Sequence, residues 1–225
     1  MKSYAAFAIG AALVDTEIQV ADADLNNLNV QKGVMTLVNE VDRANLLDQL
    51  SKHLNQANRT SGGSAGNSMI ATALFGARTY MACKVADDED GDIYLADLEE
   101  CGVYHGQQGK RSKGITGKCL VLITPDAERS LNTNLGVSET LSTSEVSEEA
   151  ILKSEWVYLE GYLVTSPSCH QAALQTISLA RKHGVPTAIN FSDPGMLKFF
   201  RANIAAMLED TVELIFCNRS EALEW

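Results

Sequence analysis

The sequence predicts an α/β fold with a mainly parallel central sheet, and three observations carry that prediction. Short continuous apolar runs such as Ala5-Ala6-Phe7-Ala8-Ile9 suit strands buried on both faces of a parallel sheet. Strand-like runs alternate with helical patterns through the C-terminal half, as right-handed β-α-β connections require. A glycine cluster, Ser61-Gly62-Gly63-Ser64-Ala65-Gly66-Asn67-Ser68, runs straight into the apolar segment Met69-Ile70-Ala71-Thr72-Ala73-Leu74, as where a loop feeds a helix N-terminus. The cluster reads either as a binding loop or as a tight turn capping a helix.

With 225 residues, 45% of them hydrophobic, the chain can bury a core of domain size. A formal charge of −11 argues against a broad nucleic-acid or anionic-membrane surface and makes a small molecule the expected partner. The five cysteines, Cys83, Cys101, Cys119, Cys169 and Cys217, are odd in number and form no C-x-x-C pair. They read as buried, reduced thiols. The N-terminus does not resemble a signal peptide, and no apolar run reaches the length of a membrane span, so a cytoplasmic protein is expected.

Taken in order, residues 5–10 form a first strand ended by Gly10, with Asp15 beyond its C-terminal end. Ligands of open α/β sheets bind there, which makes Asp15 a hydroxyl acceptor or else a solvated turn residue. Residues 16–20 alternate weakly, 22–29 are polar and turn-rich, and 34–38 are strand-like, together a hairpin excursion from the main sheet. Asn39, with Asp42 three residues on, starts a helix whose Leu46, Leu47, Leu50 and Leu54 form one apolar stripe. Residues 79–85 are a strand. The run Asp87-Asp88-Glu89-Asp90-Gly91-Asp92 lacks calcium-loop spacing and reads as an acidic helix N-terminus before a helix at 93–101 that stops at Gly102.

Residues 107–118 are glycine-rich and basic, through Lys110, Arg111, Lys113 and Lys118. They form a surface loop or a cover over an anionic ligand. A buried strand at 119–124 turns at Pro125-Asp126, and Arg129 follows where a guanidinium could reach a phosphate by paired hydrogen bonds. Ser142-Thr143-Ser144-Glu145 has capping-box spacing and begins a helix. Strands at 156–159, 185–190 and 212–217 are separated by helices at 170–183 and 194–208, with Gly184 ending the first helix. Glu160, Asn190 and Asn218 stand at or just past strand ends, on the ligand side. The chain stops at Trp225 within the first turns of a helix, which reads as a fragment.

Five stretches then point to one family. Gly10-Ala11-Ala12-Leu13-Val14-Asp15, Gly62-Gly63-Ser64-Ala65-Gly66-Asn67, Ile123-Thr124-Pro125-Asp126-Ala127-Glu128-Arg129, Leu159-Glu160-Gly161-Tyr162 and Asn218-Arg219-Ser220-Glu221 resemble, in order and spacing, the ribokinase-like (PfkB) sugar kinases, especially their adenosine-kinase-like branch. The resemblance implies a three-layer fold with a mainly parallel central sheet and a small β lid, incomplete at its C-terminus. Residues 1–225 would be the N-terminal portion of the kinase domain, with lid segments at 16–38 and 103–124. It implies ATP-dependent phosphorylation of a primary hydroxyl on a sugar or nucleoside.

The same resemblance assigns substrate binding to Asp15, Gly62, Gly63, Asn67 and Glu160, and phosphate or nucleotide binding to Arg129 and Asn190. Asn218 and Glu221 match an N-x-x-E motif that organises magnesium through its waters, in keeping with magnesium's reluctance to dehydrate. An ionised Asp15 can accept two hydroxyl hydrogen bonds, while Asn67 can both donate and accept. Pairing of lids into a homodimer is a further implication. Two departures stand out: Ala11 replaces an asparagine usual in the adenosine-kinase-like branch, and the family's catalytic aspartate, in a Gly-Ala-Gly-Asp motif, would lie beyond Trp225. The 225 residues alone are therefore expected to be inactive. A non-catalytic sugar- or nucleoside-binding or regulatory domain is the alternative, and a dinucleotide oxidoreductase is disfavoured because G-x-G-x-x-G is missing.

Overall fold

The computed structural model describes residues 2–53, 58–107, 111–209 and 212–225. The chain opens with β1 (Tyr4–Ile9), β2 (Leu13–Gln19), α1 (Asp22–Asn27), β3 (Met35–Leu37), α2 (Glu40–Gln49) and β4 (Asn58–Gly62). It continues through α3 (Ser64–Leu74), β5 (Thr79–Ala82), α4 (Glu89–Glu100), β6 (Val103–His105), β7 (Gly117–Ile123) and β8 (Arg129–Asn134). The last part holds α5 (Glu148–Leu152), β9 (Ser154–Glu160), α6 (Pro167–Lys182), β10 (Thr187–Asn190), α7 (Pro194–Phe199), α8 (Arg201–Leu208), β11 (Leu214–Phe216) and α9 (Arg219–Glu224).

These strands sort into two sheets. The first has six strands, all parallel, in the order β11-β10-β9-β1-β5-β6. Its central strand β1 explains the apolar run: Phe7 and Ile9 pack against Ile151, Ala173 and Ile177 on one face, while Ala8 packs with Met69, Tyr94 and Leu98 on the other. Helices therefore cover both faces around β1, as a parallel sheet demands. The second sheet has five strands in the order β3-β8-β7-β2-β4 and mixes parallel with antiparallel pairs. It has its own core, in which Ile18, Leu120 and Leu122 bury against Leu25 of α1 and Leu50 after α2. Each such buried aliphatic side chain stabilises the fold by about 1.5–3 kcal/mol.

Several local expectations change. Asp15 is not at the end of the first strand but is the third residue of β2, on the second sheet. Residues 16–38 are not a hairpin, because β2 and β3 are separated by β7 and β8, and the polar stretch between them holds α1. Of residues 103–124, those in β6 edge the six-stranded sheet, and those in β7 lie in the second. Ser142 and Glu145 do form a capping box, but over one 3-10 turn, and α5 starts later on a Ser147 cap. The helix expected at 194–208 breaks at Phe200 into α7 and α8. Asn39 caps α2 as its spacing suggests, and Asp88 caps α4, which starts at Glu89, four residues early. Cys217 is exposed and Cys101 half-buried, so the thiols are not uniformly interior. Leu54 and Lys110 lie outside the described residues. No helix among the described residues is long and apolar enough to cross a membrane.

The chain passes between the sheets at glycine-bearing seams: Gly10 to Ala12, Gly63, the stretch before Gly117, and Gly136. These passages touch one another. A Cβ at Gly63 would come within 2.5 Å of the Ala11 carbonyl oxygen, and one at Gly117 within 2.6 Å of that of Ala12. Backbone stands against backbone there, and no larger residue fits without parting the sheets.

Candidate functional site

A pocket lies between the second sheet and the C-terminal ends of β9 and β10. Side chains alternate along a strand, so β2 turns Leu13 and Asp15 into it, β3 turns Met35 and Leu37, and β8 turns Arg129, Leu131 and Thr133. From the six-stranded side come Gly63, Ser64 and Asn67 at the start of α3, with Glu160 and Asn190 ending β9 and β10 and Tyr162 and Ser192 just beyond them. The pocket thus has a polar end and an apolar wall.

Asp15 dominates the polar end. Burial pushes its carboxyl up from the usual 3.8 to about 6, opposed by the Arg129 guanidinium and reinforced by Glu17. The nearest Arg129 nitrogen stands 4.0 Å away, and Arg129, half-exposed at the rim, also reaches Glu17 at 3.6 Å. One oxygen, Oδ1, is buried without any hydrogen-bond partner among the described residues. A buried carboxylate oxygen left open costs free energy, and a donor supplied by a ligand would remove that cost. Gly62, beside it on β4, is obligatory for the same pocket: a Cβ there would fall on the Asp15 carboxylate. Gly62 shapes the site from behind without lining it.

Glu160 is buried equally deeply but fully engaged. Its Oε1 accepts from Ala11 N–H at 2.8 Å, and its Oε2 accepts from Ser64 Oγ and Ala65 N–H, both at 2.9 Å. Burial raises its carboxyl above the usual range, and these three donors oppose the rise. It ties the β1–β2 crossing to the first turn of α3. Asn190 is similarly occupied, donating to Tyr158 Oη at 3.2 Å and accepting from Ser192 N–H at 2.7 Å. That second bond holds Ser192 at a φ of 71°, an uncommon conformation for a residue with a side chain. Asn67 faces the pocket from the first turn of α3.

Asn218 and Glu221 are not among the lining residues. They form a capping box at α9, in which Asn218 Oδ1 accepts from Glu221 N–H and Asn218 N–H and Nδ2 donate to the Glu221 carboxylate. Glu221 is buried and its carboxylate is engaged within this box. Among the described residues no group of three His, Cys, Asp or Glu side chains is placed to hold a metal directly. The basic stretch does not cover the pocket with its described charges. Arg111 pairs with Asp87 and Asp92, and Lys118 with Asp90, which ties them to the acidic run.

Sequence reasoning missed the apolar wall of Leu13, Met35, Leu37, Leu131 and Leu135, together with Cys119 and Tyr162. Alternation from Arg129 would have found Leu131 and Thr133. Cys119 is an inert neighbour of Asp15, since burial and then the Asp15 charge push its thiol up to about 12.

A six-stranded parallel sheet, a second sheet set over its strand ends and a pocket between them define the ribokinase-like class of small-molecule kinases. Residues 32–225 match the pfkB family carbohydrate kinases, and the chain belongs to that family. A probable sugar kinase from Rhizobium etli CFN 42 is 30% identical, with a TM-score of 0.92 over 100% of this chain and 67% of its own. The adenosine kinase from Sinorhizobium meliloti is 34% identical, with a TM-score of 0.91 over 99% of this chain and 67% of its own. The guanosine-inosine kinase of Escherichia coli (strain K12) is 25% identical over 223 residues, 95% of this chain and 51% of that protein. The ribokinase of Mus musculus is 24% identical over 161 residues, 72% of this chain and 47% of that protein. The chain spans about half the length of these two curated relatives.

Proposed function

We propose that residues 1–225 form the acceptor-binding part of a kinase that uses ATP and magnesium to phosphorylate a primary hydroxyl of a nucleoside or sugar. The observation that carries this reading is the buried, unpartnered Asp15 Oδ1 beside Asn67 and Gly63. Asp15 accepts hydroxyl hydrogen bonds from the sugar ring, and Asn67 donates to or accepts from the same ring. Arg129 at the rim meets phosphate charge, and Asn218 with Glu221 orders the waters of magnesium when it is bound. The second sheet acts as a lid that keeps water from the transferred phosphate. The apolar wall of Leu13, Met35, Leu37 and Leu131 favours a nucleoside, whose base supplies the apolar surface that a free sugar lacks. On this reading residues 1–225 bind acceptor without turning it over.

Thermal denaturation with adenosine, inosine, ribose and fructose tests the proposal, because a ligand of the native state raises its stability by mass action. One nucleoside should raise the midpoint, and Asp15→Ala should remove the rise. A hit that survives Asp15→Ala sinks the pocket assignment. The grip requires the ionised carboxylate, so acceptor affinity should fall as pH drops through about 6, by about tenfold per unit below that point. Affinity constant between pH 5 and 8 would remove Asp15 from the contact.

A further inference from the structure

The reverse face of the second sheet carries another pocket of different chemistry. Where Leu13 and Asp15 face the acceptor pocket, their neighbours Val14 and Thr16 face a cavity of about 320 Å³ behind the sheet. Lys118 alternates with Cys119 in the same way, and Arg59 of β4 stands in register with Thr16. From outside the sheet α2 adds Arg43 and α4 adds Asp90. Three cations thus share a cavity with one carboxylate, in a chain of net charge −11.

That carboxylate is spent on two of them. Asp90 is buried and pairs with Arg59 Nη2, and with Lys118 Nζ at 2.9 Å. Arg43 is left over: its side chain is 12% exposed, and among the described residues the one carboxylate it reaches is the half-exposed Glu40, at 3.7 Å. Its Nε is buried and has no acceptor among the described residues. A guanidinium N–H shut away from water and unbonded asks for an acceptor, and an oxyanion suits its planar fork better than any other small ligand. The geometry points to a binding site for a small phosphate-type dianion, held by Arg43, Arg59 and Lys118 beside the Thr16 hydroxyl. Asp90 holds two of the cations in place beforehand, and the formal charge of the lining, three positive and one negative, balances a dianion. The site is separate from the acceptor pocket and does not rest on the kinase reading.

Inorganic phosphate is the probe. Thermal denaturation is followed against phosphate concentration, with sodium chloride at matched ionic strength as the control. The expected result is a saturable rise in midpoint that survives Arg129→Gln and weakens by about tenfold or more in an Arg43→Gln, Arg59→Gln double variant. A rise lost in Arg129→Gln but kept in the double variant overturns the proposal, as does one that chloride reproduces. Should the double variant fail to fold, the Arg43 Nε–H resonance of the unaltered protein decides: movement with phosphate supports the site, and no movement overturns it.

Discussion

Asp15 and Glu160 sit in the walls of one pocket, on opposite sheets, and both carboxylates are buried. Around Glu160 three donors engage both oxygens and tie the side chain into the fold. Around Asp15 one oxygen remains open and the nearest cation stands 4.0 Å away. Burial raises both groups, and what separates them is the supply of donors. An acid satisfied by its own chain holds structure together, whereas one left open is available to a ligand.

The comparison is broken most severely at Glu160. Glu160→Ala strands the buried N–H of Ala65 and the half-buried N–H of Ala11 and should cost roughly 4 kcal/mol in chemical denaturation. A cost near zero would mean that Glu160 holds nothing together.

Asp15→Asn should act in the opposite sense. Between the usual 3.8 and about 6 the folded chain keeps a proton that the unfolded chain has released. Stability from this group is therefore highest below the lower value, falls as pH rises, and levels off above the upper one. Asp15→Asn escapes that loss and should be more stable than the unaltered chain by roughly 3 kcal/mol near pH 7, a gap that closes on acidification to about pH 4. A destabilised variant at neutral pH would show that Asp15 is satisfied after all.

The smallest effect is expected at Tyr94. Its buried hydroxyl has no partner among the described residues and stands where a Cβ on Gly66 would be, 2.5 Å away. Tyr94→Phe should therefore raise stability by up to about 1 kcal/mol, and a loss of that size would reveal a hidden partner for the hydroxyl.

The first sheet was legible because β1, β9 and β10 are apolar on both faces. The cap at Asn39 was legible because its partner lies three residues away. The second sheet was legible only in part: the runs at 34–38 and 119–124 read as strands, but β4 reads Asn-Arg-Thr-Ser-Gly and has no apolar period, since it is an edge strand held by its pairing with β2. Asp15 stood out as a pocket residue from its place in a motif, but its sheet was not legible, because only Gly10, Ala11 and Ala12 separate the two strands. The apolar wall is gathered from β2, β3 and β8, and such long-range convergence leaves no local period to read.

The glycine seams have a mechanical consequence. Among the described residues the passages between the sheets lie along them, so a rotation of one sheet against the other would have its fulcrum there. Displacement under rotation grows with distance from the axis. Asp15 is three residues from Ala12 and travels on a short arm, whereas Leu37, on the far edge strand of the second sheet, swings on a long one. Opening such a lever would widen the pocket at Leu37 while leaving Asp15 almost where it was.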